Sequence, residues 1–321
     1  MTRRRLRSFV LALVLALPCP VWAQEDLEDI LGGFEEEPEF LAEEATEDSG
    51  ERFWDLSGSV ELSGSFNYRN HRSDTGTRYF GFQRLRTRGN LQLDLELPYE
   101  WAFRAEGWGF IDPAYQFRGR SKYTRAVLDA YETDAEFGEV WLQGALHDRI
   151  DVKVGRQVAI WGRSETLRVL DVLNPLDNRE PGRVDLEDLR RPVGMLRVDG
   201  YLGDWSLTGI AIPEIRFDHL PQLGSDFYPG VFAPPEIEPD DWEDPEFAAK
   251  LTGIFSGWDV TFQGAWFWND TPRLARNPPL RLVHDRLWMV GSGGNYTKGS
   301  WLFKYEVAFF DGLGFTSNPG D

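Results

Sequence analysis

The sequence predicts an all-β protein: an up-and-down antiparallel transmembrane β-barrel of the outer membrane, of at least about 12 strands when complete, with a helical insert folded into its lumen. Three observations lead there. Apolar and polar residues alternate with a period of two through most of the chain after residue 56, the signal of strands with one apolar and one polar face. Runs of roughly ten to fifteen such residues exceed the usual globular strand of about 5–6 and suit tilted membrane strands of about 9–11 with wet ends. Connections alternate between short turns and long loops such as 112–136 and 218–246. That rhythm puts every long loop at one end, as outer-membrane barrels do.

The chain opens on Arg3, Arg4, Arg5 and Arg7, an apolar run over 9–17, and Val21-Trp22-Ala23. A basic start, a short apolar run and small residues before the cut read as a secretory signal over residues 1–23, cleaved after Ala23. The run is too short to cross a bilayer as a helix. Cys19, the one cysteine, leaves with it, so the mature chain has no disulfide, cysteine–zinc site or cysteine nucleophile. Residues 24–55 are dominated by acids, with Arg52 their one base, and hold much of the formal charge of -19. Such a block cannot bury enough apolar surface to offset its ordering entropy and reads as a mobile periplasmic segment. Leu27, Ile30, Leu31 and Phe34 have helical spacing within it and offer a docking face to a periplasmic partner.

The barrel reading covers residues 56–321. In the first strand Leu56, Val60, Leu62 and Phe66 oppose Ser57, Ser59, Glu61, Ser63 and Ser65; in the second Leu85, Leu91, Leu93, Leu95 and Leu97 oppose Arg84, Arg86, Arg88, Asn90, Gln92 and Asp94. Pro98-Tyr99 turns the chain into a third strand, with Trp101, Phe103 and Ala105 against Arg104 and Glu106. Four hairpins follow: 140–146 with 150–154, 194–202 with 205–212, 247–255 with 258–268, and 287–296 with 301–309. Single-chain barrels have an even strand number. These elements make an odd one, so at least one further strand is expected beyond residue 321. Aromatics are 14% of the chain, and Tyr68, Tyr99, Trp101, Trp266, Trp268 and Trp301 lie near strand ends, where interfacial girdles sit. The apolar faces would then meet lipid, and Arg84, Arg86, Arg88, Asp94, Arg104 and Lys153 would line the lumen.

Residues 156–192 break the period. Ser164 suits an N-cap for a helix over 165–173, and Asn174-Pro175 stops it. A second short helix is expected from Asp185 to just before Pro192. Mixed charges beside Leu167, Leu170 and Leu173 suit a segment folded into a polar cavity. Arg156, Trp161, Arg163, Glu165, Arg168, Asp171, Asn174, Asp177, Arg190 and Arg191 are its candidate constriction residues, with Trp161 and the leucine face packed on one wall. G-R-Q-x-x-x-W-G followed by L-N-P, an E-P-G step and a basic pair before a strand, over about 154–198, resembles a family of proteobacterial outer-membrane proteins of undefined function, often encoded beside RND-type exporters. The resemblance implies barrel architecture and traffic in hydrophobic substrates, and brings no catalytic residues.

The acids of the insert match no metal-ligand loop and are interspersed with arginines, so charge-paired packing is expected in place of a metal. The acidic stretch 236–244 reads as solvated, and His71, His147, His219 and His284 are scattered. With no G-x-S-x-G, phosphate loop or dinucleotide fingerprint, an outer-membrane enzyme ranks third and no cofactor is expected. First stands a porin-like channel or transporter for a small or amphipathic solute; second, a closed barrel that docks or supports an export complex. Expected partners are outer-membrane lipid and lipopolysaccharide, the barrel-assembly machinery, and a periplasmic protein at the acidic segment; nucleic acid is not among them.

Overall fold

A strand with one apolar and one polar face accepts only one register parity, because a slip of one residue would exchange its faces. The computed structural model, which describes residues 53–68, 80–163, 168–184, 189–228, 244–275 and 281–314, obeys that rule except at three register shifts, at Ser65/Phe66, Ala105/Gly107 and Ala145/His147. In chain order the strands are β1 (Trp54–Asn67), β2 (Gly81–Leu97), β3 (Trp101–Ile111), β4 (Thr133–His147), β5 (Ile150–Gln157), β6 (Val193–Leu202), β7 (Trp205–Ile212), β8 (Glu246–Phe255), β9 (Trp258–Trp268), β10 (Arg273–Ala275), β11 (Arg281–Val283), β12 (Arg286–Lys298) and β13 (Trp301–Asp311). All but β10 and β11 form one 11-stranded sheet in sequence order, each strand antiparallel to the next. β10 and β11 make a separate ribbon, which the alternation did not announce.

The turns at 98–100, 148–149, 203–204, 256–257 and 299–300 lie at one end of the sheet. The five long connections lie at the other. Residues paired across strands share a face, as with Asp94 opposite Arg104 and Leu91 opposite Gly107. One face is apolar and open: Val60 is 76% exposed and Leu62 79%, and Leu91, Leu196, Leu207, Phe262, Trp288 and Val290 are exposed with them. The other face, here called inner, carries the charges and is partly covered by residues 158–163, 168–184 and 189–192. Hydrophobic burial is therefore confined to the inner side, where Ala159, Trp161, Leu170 and Leu173 pack on Met195, Ile210, Ala248, Phe267, Met289 and Ala308.

The helices are not where the sequence places them. The described part of the expected 165–173 helix, from Arg168 onward, is irregular, and the described end of the second, Leu189 to Arg191, is not helical either. Distant partners take the groups a helix would use: Gln263 donates to the carbonyl of Leu170 (3.3 Å), Arg168 to that of Asn174 (2.7 Å), and Leu176 pairs with Arg190 as an antiparallel bridge. Ser164, Glu165 and Leu167 lie outside the described residues, as do residues 1–52 with the expected signal and acidic segment. Helices appear instead between β3 and β4, as α1 (Ala114–Arg118), a 3-10 turn (Arg120–Lys122) and α2 (Arg125–Tyr131). Thr124 caps α2 by accepting from the Val127 N–H at 3.3 Å.

Candidate functional site: an insert strapped across the inner face

The insert grows out of β5, and its first described residues turn inward. Asn174 fixes this turn: its Oδ1 accepts from the Ala159 N–H (2.8 Å), and its Nδ2 donates to the carbonyls of Gln157 (3.3 Å) and Arg191 (2.9 Å). One fully buried amide thus ties the segment's entrance to its exit. Asp171 sits beside it, accepting from the Trp161 N–H and from the guanidinium groups of Arg168 (3.2 Å) and Arg190 (2.8 Å). Asp171 and Asn174 therefore organise the insert from within. Leu170 fits a notch in β12 made by glycines: a side chain at Gly291 would collide with its Cδ2, and a Cβ at Gly293 would stand 3.1 Å from its Cδ1.

Outward from this core, charged arms reach several strands. Arg163 pairs with Asp259 on β9 at 2.5 Å, and its backbone N–H donates to Glu306 on β13. At the far end Glu180 receives Arg86 (2.5 Å) and Arg84 (3.3 Å) from β2, all three side chains being about nine-tenths buried. Arg179 pairs with Asp134 on β4 at 2.7 Å and with Asp177 at 2.6 Å. Arg191 lies 3.8 Å from Glu136 on β4, a carboxylate that also receives Arg216, while Arg156 pairs with Glu214. One strap thus holds β2, β4, β9 and β13, the second and the last strands of the sheet included. The strap therefore spans the inner face from the second strand to the last.

The side of the inner face nearer β1 stays open. Ser57 and Ser59 are exposed, Arg104 pairs with Asp94 at 2.7 Å, Arg88 lies 4.6 Å over Trp108, and Lys153 lies 3.9 Å over Trp141. Trp161, from the strap, covers Lys250 at 4.8 Å. The result is a polar surface of hydroxyls, amides and paired charges, set with two indole faces.

Above the strap, the connection between β3 and β4 and residues 217–228, after β7, form a roof. Tyr115, Val127 and Tyr131 pack together with Phe227, and Arg118 grips Asp226 through two bonds of 2.6 and 2.9 Å. The Tyr131 hydroxyl donates to the carbonyl of Arg179 at 2.9 Å, which locks roof to strap. His219 pairs alongside Asp177 as a parallel bridge. Burial, followed by the fields of Arg191 and Arg179, pushes its imidazole down to about 4 against the opposing pull of Asp177. Burial alone would raise the Asp177 carboxyl, but the hydrogen bonds and charge of Arg179 hold it below the usual carboxylate range.

Of the residues expected at a constriction, Trp161, Arg163, Arg168, Asp171, Asn174, Asp177, Arg190 and Arg191 come together in or around the strap. Arg84, Arg86, Arg88, Asp94, Arg104 and Lys153 all lie on the inner face; Arg84 and Arg86 are spent on Glu180. Sequence reasoning did not single out Glu180, Arg179, Asp259, Glu306 or Gln263 as anchors. The inward phase of β9 and β13 marks Asp259, Gln263 and Glu306 as interior, but their partners lie far away in the sequence, 93 residues for Gln263 and 143 for Glu306. Among the described residues no group of three or more His, Cys, Asp or Glu is placed to hold a metal ion.

No curated protein matches the chain. A family model for a protein of unknown function, DUF1302, matches residues 4–319, nearly its whole length. The strap, the eleven-stranded meander and the long loops at one end are therefore features of a member of that family: this chain belongs to DUF1302.

Proposed function

We propose that the protein is an outer-membrane channel or transporter: a barrel whose apolar face meets lipid and whose bore is narrowed by residues 158–192, leaving a polar path beside β1 to β5 for a small or amphipathic solute. The observation that carries this reading is the inverted sheet. Large apolar side chains cover the open face while charges fill the inner one, which is the reverse of what water selects and is the arrangement that hydrocarbon requires. A bilayer also leaves no unpaired strand edge unpunished. Among the described residues β1 pairs only with β2 and β13 only with β12, so in the membrane both edges must be satisfied by further pairing.

The indole faces of Trp108 and Trp141 beside Arg88, Arg104 and Lys153 suit a solute with both an apolar body and a polar group. Purified protein in planar bilayers tests the proposal: discrete current steps, or solute flux into liposomes, are the expected result. Stable insertion with neither current nor flux would instead favour the closed docking barrel.

A further inference from the structure

The apolar face carries a built irregularity. Cross-strand pairing aligns Leu196, Ala211, Phe247, Trp266 and Trp288 in one row over β6 to β9 and β12. Two residues nearer the short turns runs a second row: Val198, Gly209, Ala249, Gly264 and Val290. Three successive members of that second row carry no more than a methyl group. Where neighbouring rows hold leucines and aromatics, this one is a trough, and the two rows line an open apolar slot of about 600 Å³. Its upper lip is a shelf of stacked rings: Phe247 on Trp266 at 6.2 Å and 2° between planes, then Trp266 on Trp288 at 5.9 Å.

A cation stands at the loop side of the shelf. Arg286, opposite Trp268 in the ladder, lays its guanidinium 3.8 Å over Trp266 and 5.0 Å from Trp268. Its Nη groups donate to the carbonyls of Asp244 and Pro245, and its Nε has no acceptor. Glu246, a neighbouring acid, is spent on the Trp268 N–H at 2.8 Å. The Nε is buried, but each Nη keeps one further N–H, so Arg286 retains donors at the level of the aromatic girdle, its charge offset only through space by Glu246 and Asp244. There a membrane presents phosphate, and an arginine fork matches phosphate geometry.

We propose that the slot holds one acyl lipid whose phosphate headgroup is net anionic, from the leaflet on the long-loop side, with a chain laid along Gly209, Ala249 and Gly264 and the phosphate on Arg286. This rests on the membrane reading above and adds to it a specific lipid site.

Native mass spectrometry of detergent-released protein, titrated with phosphatidylglycerol or with phosphatidylcholine of the same chains, tests it. One phosphatidylglycerol should bind about fivefold tighter than phosphatidylcholine, the effect of a single interfacial arginine. Arg286→Gln should abolish that preference. A Gly209→Leu, Gly264→Leu variant should lose the tight site for both lipids; it has room to fold, since a Cβ at Gly209 meets nothing within 4 Å and one at Gly264 comes no closer than 3.4 Å to a neighbour. Equal binding of the two lipids to the unaltered protein, or an unchanged preference in Arg286→Gln, overturns the proposal. So does a dimer that the glycine substitutions dissociate, which would make the slot an interface between copies. Failure of the protein to enter liposomes as a heat-modifiable species would instead overturn the membrane reading itself.

Discussion

Glu180 is the residue on which the strap's grip on β2 depends. Its carboxylate serves Arg84 and Arg86 at once, with all three side chains largely out of solvent, and removing one partner of such a buried set leaves charge poorly compensated at a cost of about 3 kcal/mol. Glu180→Gln should lower the unfolding temperature and speed proteolysis within the strap. Arg125 and Asp129, a pair open to water on α2, provide the contrast: Asp129→Asn should change stability by less than about 0.5 kcal/mol. A pH effect belongs to the same neighbourhood. His219 is held at about 4, below its unfolded value of about 6.5, so it binds fewer protons when folded. Its contribution to stability is whole above about pH 6.5 and is lost as the pH falls through about 4. Asp177, held below the carboxylate range, loses its contribution at still lower pH. Melting followed from neutral pH down to about 4 should therefore show a decline that His219→Gln removes; an unchanged decline in that variant would assign it to other groups.

At the scale of elements, the strands were legible because period two is a local signal, repeated over many residues and punctuated by turns such as Gly203-Asp204 and Ser256-Gly257. The strap was legible as an interruption but not in its conformation. Ser164 and Pro175 suggested a capped helix, yet the chain there is shaped by Asn174 reaching Gln157 and Arg191, and by Gln263 reaching Leu170, bonds that no window of sequence contains. The notch at Gly291 and Gly293 was equally silent, since a glycine in a strand does not name the leucine it admits. The reverse failure occurred at α2, where Val127 and Tyr131 are buried one turn apart, but seven residues give too short a run for helical period to stand out. The same alternation makes a prediction. Leu91 is 57% exposed on the apolar face and its neighbour Gln92 lies on the inner one. Leu91→Arg should hinder assembly in lipid by about 2–4 kcal/mol if it lies near the midplane, and Gln92→Arg by far less. Folding yield into liposomes, read as a heat-modifiable band, separates them; equal yields would argue for a sheet in water.

The whole molecule joins two structures with different demands: a wall set by alternation, and a strap set by buried polar contacts that crosses its inner face from β2 to β13. Each strand of the wall pairs with the wall strands before and after it along the chain, so the wall's ladder does not pass through the strap. The strap does not have that independence, because its apolar residues are buried against wall residues such as Met195, Ile210, Phe267 and Met289. Deleting residues 164–183 should therefore leave assembly and the heat-modifiable band intact while removing Leu170, Leu173, Arg179 and Glu180 from the inner face. Single-channel conductance should rise, and discrimination between solutes should weaken, because the narrowest part of the path would pass from a fixed set of charges to open water. The roof should loosen as well, since Tyr131 loses the carbonyl of Arg179, and cleavage between β3 and β4 by added protease reports that independently of current. Unchanged conductance in an assembled deletion variant would place the solute path away from the strap and leave its ion pairs a purely structural role.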